Sequence, residues 1–342
     1  MRALLLTAPN ELRLQDVPMP APQADEILLR VRACGICGSD VHGLDGRTRR
    51  RIPPLIMGHE AAGEVAGDGL ADWPAGTPVT FDSTAWCGGC WHCCRGEVNL
   101  CDRREVVGVS CADYRRHGAF AEYVSVPVRT LHALPPGLDF VPGALAEPVS
   151  VALHAVNRAT QITPDTTAVV VGTGLIGLLV VQVLRARGCG QIVAVDLDAT
   201  RLAQAARFGA TVTLDAHQAN VAVQVKEMTA GRGADVTFEV VGATGTLNTA
   251  IDCTRKGGEV VLIGNLAPQV TLPLQSIVTR ELRLIGTCAS AGEYPAALAL
   301  IASSRINVDE LISARPPLEE GTEWFRRLQA GEAGLMKVVL CP

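Results

Sequence analysis

The chain has 342 residues, a net charge of −5, 48% hydrophobic and 19% charged residues. These proportions exclude a disordered chain, and the acidic balance argues against nucleic acid as a partner. No uninterrupted apolar run reaches the roughly 20 residues that a membrane span needs, and the apolar run in MRALLLTAPNELRL is too short for a signal peptide. The expectation is a soluble, cytoplasmic protein of about two domains, with no nucleic-acid and no membrane partner.

Residues 1–149 are rich in Gly, Pro, Cys and His and carry short alternating apolar runs such as Ile27–Val31. That pattern predicts a mostly-β domain with long loops. Three separated segments in it offer metal donors. Cys37 sits in Gly35-Ile36-Cys37-Gly38-Ser39-Asp40-Val41-His42, His59 and Glu60 follow Gly58, and Glu147 precedes Pro148. Mixed S, N and O donors from distant segments suit a catalytic zinc with one position kept open. Between His42 and His59 lie Arg47, Arg49, Arg50 and Arg51. Such a run attracts an anionic substrate group, although most charge runs are only solvated.

Cys87, Cys90, Cys93 and Cys101 form C-x2-C-x2-C-x7-C. Four thiolates in one short loop fit tetrahedral zinc with no open position, which is a structural site. His92 and Cys94 fall inside the loop but break the spacing. Twelve cysteines in a long chain without an export signal point to metal binding and not to a disulfide framework.

From residue 150 the pattern changes to short β-branched runs alternating with helical segments. Predicted strands are Ala168–Val171, Ile192–Val195, Val236–Val240, Val260–Ile263 and Leu282–Ile285, with a helix to about Arg187 and another over Thr200–Phe208. Near-continuous apolar strands alternating with helices predict an α/β, doubly wound parallel sheet. The first strand runs into Gly172-Thr173-Gly174-Leu175-Ile176-Gly177, and Asp196 follows at the end of the next. Gly172 serves the tight turn, Gly174 the close approach of a pyrophosphate, and Gly177 helix–strand packing. Leu175 and Ile176 open the helix whose free N–H groups face the phosphates. The Asp196 carboxylate accepts from ribose hydroxyls and repels a 2′-phosphate, which favours NAD over NADP. Arg201 either covers the adenine or is a surface charge. Residues 289–342 predict a helix over Tyr294–Ser303 and a strand at Lys337–Leu340.

Taken with Met57-Gly58-His59-Glu60, Gly118-Ala119-Phe120-Ala121-Glu122-Tyr123 and Glu147-Pro148-Val149-Ser150-Val151-Ala152-Leu153-His154-Ala155, these motifs carry a resemblance. The chain resembles the zinc-containing medium-chain dehydrogenases over essentially its whole length. Within them it is most similar to the sorbitol (L-iditol) and L-threonine dehydrogenase branch.

The resemblance implies a GroES-like catalytic domain of residues 1–149 and 289–342, interrupted by a Rossmann NAD-binding domain of residues 150–288. It implies two zinc ions per subunit. The catalytic one is held by Cys37, His59 and either Glu60 or Glu147, and which carboxylate binds directly stays open. Asp40 orients His59, and Ser39 passes the substrate proton towards His42. The reaction implied is hydride transfer from a secondary alcohol, a polyol, sugar or sugar derivative, to NAD by a homodimer or homotetramer. Alternatives are an L-threonine, sugar-acid or polyol-phosphate dehydrogenase and, remotely, a non-catalytic NAD-binding zinc protein. Two departures weigh against sorbitol itself. Ala289-Ser290 stand where sorbitol dehydrogenases carry Arg-Tyr, and Gly43 follows His42 where a tyrosine is usual.

Overall fold

A computed structural model describes residues 1–217 and 220–342. It divides into two compact units. One comprises Met1–Pro148, Ala291–Ser304 and Val308–Pro342, and the other Val149–Ser290 with Arg305–Asn307.

The second unit is built on a parallel sheet. Among the described residues its strands lie in the order Val212–Asp215, Gln191–Asp196, Thr167–Val171, Ala234–Glu239, Thr254–Leu262, Arg283–Gly286. This is the Rossmann order, in which the order of successive strands reverses beside the first strand while all strands stay parallel. Ala168, Val169 and Val170 are fully buried because helices cover both faces, which is why that strand is apolar throughout. The helix Leu175–Ala186 follows, with eight consecutive buried residues from Gly177 to Leu184. The next helix, Ala199–Phe208, starts one residue before its predicted bound. Asp198 caps it by accepting from the Thr200 and Arg201 N–H groups.

The first unit is organised by the strand Glu26–Gly35. It pairs antiparallel with Glu60–Val65 on one edge, and with Tyr123–Pro127 and Lys337–Leu340 on the other. Gly35 lies opposite Glu60, and Val339 is also registered on Gly35. Register therefore brings residues near 35, 60 and 337 together although three hundred positions separate the outer two. Leu4, Leu6, Leu29, Phe81, Phe120, Phe325 and Leu340 belong to one buried cluster, with Phe120 and Phe325 edge to face at 5.5 Å. Phe325 comes from the helix Gly321–Gln329, so the C-terminal segment is part of this core. No described helix is long and apolar enough to cross a membrane.

Candidate active site and metal centres

The strand Glu26–Gly35 ends two residues before Cys37, which starts the short helix Gly38–Gly43. The neighbouring strand begins at Glu60, directly after His59. Donor atoms of Cys37, His59 and Glu60 consequently lie within 4.8 Å of one another. His59 and Glu60 are buried, at 7% and 1% exposure. Burial alone would lower the His59 pKa, but the Asp40 and Cys37 charges outweigh it and raise it well above the ordinary value. Its Nδ1 stands 3.5 Å from Asp40 Oδ1 and has no hydrogen-bond partner. A half-buried thiol crowded against a buried imidazole and carboxylate is a donor set that fits zinc.

Glu147 lies outside this trio, in the first turn of the helix Ala146–Arg158. Burial pushes its carboxyl up to about 7; the His59 charge opposes this and the Glu60 charge adds to it. Glu60 itself is neutralised by Lys337, whose Nζ donates to Oε1 at 2.9 Å, to Oε2 at 2.6 Å and to the Ile36 carbonyl at 2.9 Å. Gly35 makes room for this carboxylate, since a Cβ there would run into Glu60 Oε2. The sequence offered no sign of Lys337 as a member of the site, because its partner is 277 positions away.

Asp40 is fully buried between two donors. Its Oδ2 accepts the Cys37 N–H at 3.3 Å and its Oδ1 accepts Arg51 Nη2 at 2.8 Å. Burial would raise its pKa, yet His59 and Arg51 together hold it below the usual carboxylate range. Ser39 and His42 lie on the exposed side of the same helix, one turn apart. Of the four loop arginines, Arg47, Arg49 and Arg50 are exposed, and Arg47 pairs with Asp45 at 2.5 Å. Arg51 does not belong with them. It is 4% exposed and points into the site, so the loop presents a smaller charge to solvent than the sequence suggests.

Near these residues lies a further polar group that the motifs did not reveal. Asp82 is 4% exposed and accepts the Thr84 N–H at 2.8 Å. Burial pushes it up to about 7. The Tyr294 ring is buried, stacks on His132 at 4.9 Å, and its hydroxyl has no hydrogen-bond partner.

In the cysteine lobe, Cys87, Cys90, Cys93 and Cys101 bring their sulfurs within 4.8 Å of each other, and all four are unpaired thiols. Cys87 and Cys93 Sγ are 4.0 Å apart. Tetrahedral zinc with Zn–S of about 2.3 Å would set sulfurs about 3.8 Å apart, so the cluster fits the ion. The Gly89 N–H, with help from Arg103, lowers the Cys87 thiol to about 6. Burial, reinforced by the neighbouring sulfurs, pushes Cys93 up to about 12. Four thiolates this close need a cation to ionise together. His92 bonds Glu97 at 3.0 Å and Cys94 is exposed, so neither joins the cluster.

In the second unit Gly172 has a φ of +95°, a left-handed turn that favours glycine. A Cβ on Gly177 would strike the Gly172 carbonyl, whereas Gly174 has open space. Asp196 Oδ2 accepts the Thr173 N–H at 2.6 Å and its hydroxyl at 3.0 Å. Its Oδ1 accepts the N–H groups of Leu197 and Asp198. The carboxylate is thereby fixed beside the glycine turn. Arg201 is partly exposed, with Nε 3.9 Å from Asp198.

The alcohol dehydrogenase GroES-like domain family matches residues 23–136, and the zinc-binding dehydrogenase family matches residues 176–303. The sorbitol dehydrogenase of Bacillus subtilis is 31% identical over 100% of this chain and 97% of its own length. The chain is a zinc-containing medium-chain dehydrogenase of the sorbitol-like polyol branch. This dehydrogenase is also similar to the D-arabitol-phosphate dehydrogenase of Enterococcus avium, 31% identical over 94% of this chain and 92% of that one. A zinc-binding dehydrogenase of Sinorhizobium meliloti 1021, solved bound to NADP, superposes with a TM-score of 0.91 at 33% identity, covering 100% of this chain and 99% of that one. The resemblance read from the motifs, the Rossmann and GroES-like folds and an oxidoreductase function thus stand together.

Proposed function

We propose that this dehydrogenase oxidises a secondary hydroxyl of a polyol or sugar derivative to a ketone, with NAD as hydride acceptor. The observation that carries the reading is the Cys37–His59–Glu60 cluster, its imidazole and carboxylate buried and its thiol half-buried, with Ser39 beside Asp40 on the adjoining helix. Cys37 and His59 would hold a catalytic zinc with Glu60 as the nearer carboxylate. Lys337 leaves lone pairs free on Glu60, since a carboxylate offers about four acceptor sites. Glu147 stands behind as the second carboxylate. Zinc would supply Lewis acidity, making the bound hydroxyl easier to deprotonate. NAD would take the hydride. Asp40 orients the His59 ring, Ser39 Oγ receives the hydroxyl proton, and His42 takes it outward.

A second zinc would occupy the four-cysteine lobe. Gly172, Gly174, Leu175, Ile176 and Gly177 would cradle the pyrophosphate and Asp196 the ribose, with Arg201 over the adenine. The charge of Asp196 disfavours a 2′-phosphate, which supports NAD over NADP. Thiols kept unpaired suit the cytoplasm. The free edges of the parallel sheet suit a homodimer or homotetramer.

The test is NADH absorbance at 340 nm with neutral polyols, sugar acids and polyol phosphates, before and after chelation. Turnover that survives complete zinc removal, or none with any secondary alcohol, would sink the proposal. A second reading, an anionic substrate, is favoured by exposed Arg49 and Arg50. It expects a lower KM for the phosphate that rises with salt.

A further inference from the structure

Arg51 is the one buried arginine of its run, at 4% exposure, and its fork is fully engaged. Nε and Nη2 reach Asp40 Oδ1 at 3.2 and 2.8 Å, Nη1 donates to the Arg50 carbonyl at 2.9 Å, and Nη2 also donates to Ser39 Oγ at 3.3 Å. A bridge between Arg51 and Ser110 fixes its backbone. Its stem passes where a side chain at position 43 would be. A Cβ on Gly43 would collide with Arg51 Cγ, so the missing tyrosine after His42 and the buried arginine are one feature.

We propose that Arg51 is a positioning residue that orients the Ser39 hydroxyl and directs its proton exchange to the outward side, with Gly43 as the space that admits it. The proposal rests on the reading of Ser39 as proton carrier. A serine hydroxyl has one proton and two lone pairs. Arg51 fills one lone pair, leaving the other to take the substrate proton while the original proton leaves outward. The substrate O–H bond breaks, a new Oγ–H bond forms and the old one breaks, so Ser39 is unchanged by each turnover. The carbon's hydrogen and electron pair would go to the bound nicotinamide cofactor. On the buried side the adjoining base is Asp40, which accepts from the same Arg51 nitrogen as Ser39. Arg51 stands between them, bonded to both, and a guanidinium has only N–H donors and no acceptor for a proton. The inward path is closed, and the exposed side facing His42 remains.

Arg51→Lys keeps a cation for Asp40 but loses the fork that also reaches Ser39. It is expected to fold, keep its zinc and NAD affinity, and lose about tenfold in kcat with KM little changed, a part of the roughly 10²–10⁴-fold that positioned proton transfer supplies. Gly43→Ala, which displaces the Arg51 stem without removing a charge, should give the same loss. In a Ser39→Ala background Arg51→Lys should have no further effect on kcat, and the melting-temperature losses of the two changes should be less than additive. Wild-type kcat in Arg51→Lys, or an equal fold-loss with and without Ser39, overturns the proposal. Full activity in Ser39→Ala alone overturns the proton-carrier reading beneath it, a result that does not involve Arg51.

Discussion

Asp82 offers a sharp energetic test of the region beside the Cys37–His59–Glu60 cluster. Its carboxyl is buried, is pushed up to about 7 by that burial, and accepts the Thr84 N–H. The unfolded chain releases this proton near the ordinary aspartate value of 3.8. Between those values the folded state holds a proton that the unfolded state has lost, so stability falls as pH rises and levels off above about 7. Asp82→Asn removes the ionisable group while its amide oxygen can still accept the Thr84 N–H. Linkage gives the variant an advantage of about 2 kcal/mol at pH 5.5 and about 4 kcal/mol at pH 8. At about 2–4 °C per kcal/mol for a domain of this size, the gap in melting temperature should widen by roughly 4–8 °C between the two pH values. Thermal melts of both proteins, zinc-loaded and in parallel, read this directly. A variant no more stable than wild type at pH 8, or with an advantage independent of pH, would refute the reasoning.

Cys90→Ser should lower zinc from two ions towards one per chain and expose the lobe to proteolysis, since structural zinc contributes about 10–16 kcal/mol in small modules; metal analysis showing no loss would mean the lobe holds none. The wild type should prefer NAD over NADP by about a hundredfold, roughly 2.7 kcal/mol, and Asp196→Ala should shrink the ratio of the two kcat/KM values. Lys337→Met leaves Glu60 buried without its cation and should cost about 3–5 kcal/mol in a denaturant titration, most of it restored by adding Glu60→Gln. Equal stability of the single and double variants would show that the ion pair is not what Lys337 provides.

What the sequence made legible was local or periodic. The glycine turn, Asp196 and the four cysteines each lie within a short span whose spacing states the chemistry. The parallel sheet was visible because strands buried on both faces are apolar throughout. Cys37, His59 and Glu60 could be named as donors, but only the antiparallel register of Glu26–Gly35 against Glu60–Val65 brings them together. Lys337 was hidden inside an ordinary strand, and its choice of partner depends on pairing across the length of the chain. Arg51 was misread because adjacent arginines look alike in sequence. The absence of a side chain at position 43 was the available sign, and it takes coordinates to show what fills the space. Asp82 and Tyr294 left no motif, since burial of a single carboxyl or phenol has no sequence period.

The pairing of Lys337–Leu340 with the strand Glu26–Gly35 also sets a timetable for biosynthesis. At about 5–20 residues per second, some 300 residues of translation separate the two strands, roughly 15–60 seconds. Throughout that interval Glu60 has no Lys337, and the edge of Glu26–Gly35 that will receive the last strand is open. Residues Val149–Ser290 meanwhile have all their sheet partners and can fold as the ribosome releases them. The nascent protein therefore passes through a stage in which the parallel sheet has all its strands and the sheet around Glu26–Gly35 still lacks its last one. A chain cut short before residue 337 would still have every strand of the parallel sheet and would never neutralise Glu60.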